Sequence, residues 1–432
     1  MPNLMNDNGS TIPRVNYIAF LFLIIITTAS FLCFQGVVTL DFQKHWDDHW
    51  VVFNWYTEEG FASSNIKSIV SEYYHGQYSP INQFYYTTLY SINGYNAKIF
   101  HSAGLVIHLF NVVLVYVFIR RIERLIFEES LQAASCIGLL CTLIFALHPL
   151  FIEPVAWISA SKVLLYALFF FIGLLSYLQY LSTKNRLWYP FAFACFVLSF
   201  LAKEQAVTFP LVLLTLEYLK AKRITQKSVV AVLPFFVTSL IFAIITINSQ
   251  SANEQGIMSK NAMNPFIDRV CYGAYSVLFY VKQTIFPSDL ARVYNFPNKA
   301  NQNMPVELLI YPIALLTAIA FFVRKALKPR YLFGGLFFFT SILPAIHIIP
   351  ISRVAIVADR YSYVASVGII YIACHFVYTL FSKADQYVRY AITLVCCLYV
   401  FYLGFYTYSR IPLWKNSDSI TNDIRHFKLY FK

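Results

Sequence analysis

Asp47 and Asp48 stand side by side in the string Lys44-His45-Trp46-Asp47-Asp48-His49-Trp50, in the polar stretch that follows the first long apolar run. Adjacent carboxylates resist ionising together, so one can act as a general base while its neighbour orients a group. Solvated loop acids or helix-cap acids leave the same two letters in a sequence. Trp46, Trp50 and Trp55 surround the pair, which suits an interfacial aromatic belt or a platform on which sugar rings stack. Farther along, the turn His148-Pro149-Leu150-Phe151-Ile152-Glu153-Pro154 to Lys162 carries a third acid. A carboxylate wedged between apolar segments at a membrane boundary is costly without a partner, and His148 and Lys162 are the nearest in sequence.

Cations complete the set. Lys203-Glu204-Gln205 separates two short apolar runs, so its charges are expected to face a cavity instead of lipid. Ser352-Arg353 and Ala358-Asp359-Arg360-Tyr361-Ser362-Tyr363 lie at the ends of two later runs. A guanidinium offers a planar fork of donors and keeps its charge at a membrane surface, which suits a phosphate; the competing reading pairs Arg360 with Asp359 to anchor a helix end.

The elements that must position these residues are membrane helices. Of 432 residues, 58% are hydrophobic and only 12% charged, and the mean hydropathy is +0.58; no soluble domain of this length is built that way. The net charge of +12 falls largely in short loops, which fits positive-inside topology and not a nucleic-acid partner. Eleven apolar runs read as spans: 17–38, 99–119, 132–152, 155–181, 187–202, 205–219, 229–248, 306–323, 331–350, 361–381 and 390–409. The first lacks a small-residue cleavage site and is read as a retained helix. With the N-terminus cytoplasmic, the five basic loops, at Arg120 to Arg124, Lys184 to Arg186, Lys220 to Lys227, Arg324 to Arg330 and Lys383 to Arg389, all fall inside.

That arrangement requires residues 268–286, whose uninterrupted apolar core is short and bounded by Arg269 and Lys282, to lie on the outer face as an amphipathic helix. The C-terminus is then extracytoplasmic. The outer loops 39–98 and 249–305, the tail 410–432 and every residue singled out above share one face. The eight cysteines show neither metal-ligand spacing nor a pairing pattern and read as small core residues.

In this order the strings resemble the GT-C superfamily of polyprenyl-phosphate-sugar-dependent glycosyltransferases. They are most similar to the membrane part of the transmembrane and tetratricopeptide-repeat O-mannosyltransferases and their bacterial relatives. The matching strings are Trp46-Asp47-Asp48, Tyr78-Ser79-Pro80, His101 through His108 to Asn111, and His148-Pro149 to Glu153-Pro154-Val155-Ala156-Trp157-Ile158-Ser159. Leu201-Ala202-Lys203-Glu204-Gln205, Ala358 to Tyr363 and Leu413-Trp414-Lys415-Asn416-Ser417 continue the order. The resemblance covers nearly the whole chain, and its specificity lies in the ordered set.

The resemblance implies a single GT-C-like transmembrane domain over 1–432 that inverts the sugar as it transfers it from a polyprenyl-phosphate carrier to an extracytoplasmic hydroxyl. One of Asp47 and Asp48, by preference Asp47, would deprotonate the acceptor; Glu153 would help bind the acceptor or assist the base. Arg360, Lys203 and Arg353 would hold the carrier phosphate, with His148, Lys162, Glu204, Asp359 and Tyr361 in support. No cofactor and no metal are implied, since cationic side chains can stabilise a monophosphate leaving group. A bacterial inner membrane is the implied location, with the site on its periplasmic or outer face.

Two departures bear on this reading. Relatives commonly place a Lys-Asp pair where this chain has Lys162-Val163, and the family's helical repeats have no counterpart here. The acceptor is therefore a protein hydroxyl or one on a glycan or lipid. A transporter or lipid-linked-sugar flippase, the rival class, would place its charged residues near the bilayer midplane in broken helices.

Overall fold

A computed structural model of the chain describes residues 11–251, 265–296, 304–348 and 355–426. Arg353, expected at the phosphate site, lies outside the described residues. In hydrocarbon a segment must satisfy its own backbone hydrogen bonds, and long uncharged runs therefore become helices. The order is α1 (Thr11–Phe34), α2 (Asp48–Val51), α3 (Trp55–Glu58), α4 (Ser63–Ser71), α5 (Pro80–Asn93), α6 (Ala97–Leu125), α7 (Leu131–Leu147), α8 (Ile152–Ala156) and α9 (Ser161–Thr183). It continues with α10 (Trp188–Ala202), α11 (Phe209–Ala221), α12 (Gln226–Ser251), α13 (Phe266–Ile285), α14 (Ile310–Ala326), α15 (Pro329–Ile342), α16 (Ser362–Lys383), α17 (Gln386–Arg410) and α18 (Ser417–His426).

The chain is an all-α integral membrane protein. Among the described residues, six helices are long and apolar enough to cross a bilayer, led by α1, α6, α9, α12, α16 and α17; α7 and α8, bent by 55° at a break, make a seventh if they form one span. The other expected spans are shorter: α10 has 15 residues, α11 13, α14 17 and α15 14.

The largest departure from the expected boundaries is between α7 and α9. Expected spans at 132–152 and 155–181 become a helix ending at Leu147, a broken stretch, and a helix starting at Ser161. His148 and Trp157 are extended, and each ends a helix on its N-terminal side. His148 Nδ1 accepts from the Leu150 backbone N–H at 3.3 Å, replacing a bond the broken helix has lost. This break is what carries Glu153 and Ser159 inward.

Opposite ends of the bundle have different chemistry. At the end bearing the basic loops, Arg330 pairs with Glu129 at 2.5 Å and Glu123 at 3.3 Å, and Glu123 accepts from the Tyr371 hydroxyl at 2.5 Å. The other end collects the first loop, the α7–α9 break, the α10–α11 turn, the end of α12 and the start of α16. Helix α13 packs on this second end: Gly273 backs onto the Ile346 carbonyl, Tyr280 exchanges hydrogen bonds with the Ala358 backbone at 3.1 Å, and Thr284 accepts from His148 at 3.0 Å.

Two close approaches set the site's frame. Gly334 of α15 and Gly368 of α16 pack backbone to backbone; a Cβ on Gly368 would stand 2.3 Å from the Gly334 carbonyl oxygen. A two-stranded antiparallel ribbon, β1 (Tyr294–Asn295) with β2 (Ala355–Val357), pairs Tyr294 with Val357 and ties the loop after α13 to the entry of α16. The core is aromatic-rich, with Phe145, Phe151 and Tyr363 in mutual contact at its centre. Of the cysteines, Cys33, Cys141, Cys195, Cys271 and Cys374 are buried, while Cys136 and Cys397 are exposed on helix faces and so are not core residues.

Candidate functional site

A cavity of about 410 Å³ opens at the end of the bundle that bears the first loop. Its wall brings together Asp47, Lys162, Lys203, Glu204, Arg360 and Tyr361, which are up to 314 positions apart in the sequence and were singled out there, with Trp46, Trp50 and Trp157. Asp48, Glu153, His148 and Asp359 stand behind that wall.

The two aspartates have separate fates. Asp48 is fully buried: its Oδ2 accepts from the Gln43 backbone N–H at 2.7 Å, and its Oδ1 accepts from the Ser159 backbone N–H at 3.0 Å and from the Ser159 hydroxyl. Burial pushes this carboxyl above its usual range, and the hydrogen bonds oppose the shift. Asp48 therefore staples the first loop to the α7–α9 break, in correction of the expectation that either acid could serve as base. Asp47 is half-exposed and lines the cavity, and among the described residues no hydrogen bond or ion pair occupies its carboxylate.

The partners expected for Glu153 are corrected too. His148 is turned to Thr284, and Lys162 donates to Gln77 at 2.9 Å. Glu153 instead accepts from the Arg360 backbone N–H at 2.8 Å and from its guanidinium. The helix break points Glu153 at the start of α16, whereas Lys162 sits on the first turn of α9 facing the loop tip. Asp359 does not pair with Arg360 in the manner of a helix-end anchor; it accepts from the Tyr294 hydroxyl at 2.9 Å.

Lys203 is 2% exposed and sits 5.2 Å from the centre of the Tyr361 ring, so it faces the cavity as its short flanking helices suggested. Burial pushes its ammonium down to about 8. Burial disfavours its charged form, and an anion beside it would restore that form.

Arg292 was missed. It lies in the loop after α13, is 5% exposed, and its guanidinium stands 3.7 Å from the Trp157 ring centre and 4.8 Å from those of Trp46 and Trp414. Burial lowers its pKa to about 10. A signal existed: a lone arginine between Leu290-Ala291 and Val293 in the loop after α13. The string around Trp414 also acquires a role, since its backbone clamps the first loop: Gln43 Nε2 donates to the Trp414 carbonyl at 2.8 Å, and the Asp41 N–H to that of Lys415 at 3.0 Å.

The lining therefore sets four cations, Lys162, Lys203, Arg292 and Arg360, against the carboxylates of Asp47 and Glu204. Such a wall can hold an anionic group beside one unengaged base. Among the described residues no group of three or more His, Cys, Asp or Glu side chains is placed to hold a metal ion. Comparison with models of known protein families and with curated proteins finds no match for this chain.

Proposed function

We propose that this membrane protein is a GT-C-type glycosyltransferase, taking a sugar from a polyprenyl-phosphate carrier and attaching it to a hydroxyl on the extracytoplasmic side. The observation that carries the reading is the cavity itself, where the unengaged carboxylate of Asp47 faces a wall of cations and tryptophans. In the inverting step Asp47 takes the acceptor's proton as the acceptor oxygen bonds to the anomeric carbon. The bond from that carbon to the phosphate oxygen breaks, and its electron pair leaves with the phosphate. Cationic side chains stabilise that charge, which makes a metal dispensable for a monophosphate leaving group.

Glu153 acts through Arg360, fixing its guanidinium at the cavity wall. Trp50, with its ring 5.0 Å from that of His75 and tilted 41° to it, offers a face to a sugar, and Gln205 Oε1, buried and without a partner, an acceptor for a sugar hydroxyl. Counting α10, α11, α14 and α15 as spans with the longer helices gives eleven, and with the basic loops inside, the N-terminus is inside and the cavity on the outer face. A bacterial inner membrane fits that topology. The acceptor is a protein hydroxyl or one on a lipid or envelope glycan, and the wall's charge suits the carrier in either case.

The test is turnover of a polyprenyl-phosphate sugar by purified protein. Asp47→Asn and Glu153→Gln should each abolish transfer while the protein remains folded; undiminished turnover in both would overturn the reading.

A further inference from the structure

We propose that Arg292, and not Arg360, is the principal anion contact of the cavity, binding two oxygens of a phosphate headgroup through the edge of its guanidinium. The inference rests on the reading of the cavity as a polyprenyl-phosphate site. It names the residue that the two roles of Arg360 leave for the phosphate.

Both arginines line the cavity, but their bonding differs. Arg360 is bound through its guanidinium and its own backbone N–H to Glu153, so part of its donor fork is already used. Arg292 is nine-tenths buried, yet Nε and Nη1 have no hydrogen-bond partner. Its closest acid is the same Glu153, 3.9 Å away and outside hydrogen-bonding range. Three indoles, those of Trp46, Trp157 and Trp414, pack about the guanidinium. Stacking contributes attraction but accepts no N–H; Nε and Nη1 lie on different edges of the guanidinium, each shared with Nη2, so a ligand with two oxygens pairs one of them with Nη2.

Burying a cation with unmade hydrogen bonds costs free energy that folding alone does not recover. A planar fork with free donors matches the paired oxygens of a phosphate. The indole N–H groups of Trp46 and Trp157 are likewise buried and without partners, so the same corner holds several spare donors. That surplus is what an anion site requires, and an acceptor-rich ligand resolves it. Lys203, which also lines the cavity, supplies a second positive charge with no fork geometry.

The full chain in detergent or nanodiscs would be titrated with a polyprenyl monophosphate, inorganic phosphate and uncharged polyprenol. Arg292→Met is expected to weaken the polyprenyl phosphate by about ten- to hundredfold, the loss of a charged hydrogen-bonding pair, and to leave polyprenol binding unchanged. Arg292→Lys, which keeps the charge and packs in the same cage, should restore only part of the affinity, and it decides the matter if the methionine variant does not fold. Inorganic phosphate weakened in parallel identifies the phosphate itself as the recognised group; weakening of the lipid phosphate alone means that the tail holds it in place against the same fork. Wild-type affinity in Arg292→Lys, or equal loss of polyprenol, overturns the assignment. Asp47→Asn separates this inference from the enzymatic one: it should stop transfer and still bind the phosphate. If the wild type transfers no sugar but loses phosphate on Arg292 substitution, the enzymatic reading fails and the anion site stands. If it transfers sugar while Arg292→Lys binds phosphate normally, the reverse holds.

Discussion

Glu153 and Arg360, 207 residues apart, share two hydrogen bonds, one from the Arg360 backbone N–H and one from its side chain. The pair joins the broken segment after α7 to the entry of α16. Glu153 is 3% exposed and Arg360 only partly so, so the contact is a largely buried charged pair, whose rupture leaves one charge unmatched.

Glu153→Ala should therefore destabilise the protein by about 3–5 kcal/mol, seen as a lower midpoint in thermal unfolding of the detergent-solubilised chain. Glu153→Gln retains one acceptor and should cost less. A wild-type midpoint for Glu153→Ala would show that the pair does not hold the two segments together.

The two aspartates should respond oppositely. Asp48→Asn places an amide N–H where Gln43 or Ser159 now donates, and should cost about 1–3 kcal/mol of stability. Asp47→Asn should unfold at the wild-type temperature while losing about 10²–10⁴-fold in transfer rate, the range for removal of a general base. Paired unfolding and turnover measurements on both variants check the division.

Lys203 predicts a pH dependence. Its ammonium falls to about 8 from the 10.5 of a free lysine, burial being the main cause, with Lys162 and Arg360 adding to the drop and Glu204 and Tyr361 opposing it. Between those two values the unfolded chain binds more protons than the folded one. Stability of the ligand-free protein should therefore rise with pH across that window. Phosphate affinity should move the other way, weakening as pH rises through about 8, because the folded state then loses its cation. Lys203→Arg should flatten both profiles, read by thermal unfolding and by phosphate titration.

The Gly334–Gly368 contact packs α15 against α16, the helix that follows Arg360. A methyl on Gly368 would stand 2.3 Å from a carbonyl oxygen and 2.8 Å from the Phe338 nitrogen, so α15 and α16 must separate. Gly368→Ala should destabilise by about 1–3 kcal/mol and lower turnover without touching the cavity. Gly335, beside which a Cβ meets nothing within 4 Å, is the control and should tolerate alanine.

The topology is open to reporter fusions. Fusions at Ser251 and Asn301 should both report outside. A cytoplasmic signal at Asn301 would mean that α13 crosses the membrane.

Composition and hydropathy determined the all-α membrane class, because charge-poor runs of about 20 residues have no alternative in lipid. The charged strings between the apolar runs also pointed to residues that share one end: Asp47, Lys203 and Arg360 line one cavity. Local signals cannot say which of two adjacent acids turns inward, since that depends on a serine brought from a distant part of the chain; Asp48 meets Ser159 across 111 residues. Nor can they pair Glu153 with Arg360 and not with its sequence neighbours, because a helix break redirects the side chain. Arg292 depended most on tertiary structure. Its charge is one letter in a loop, and only the convergence of three tryptophans from three parts of the chain buries it with its donors free.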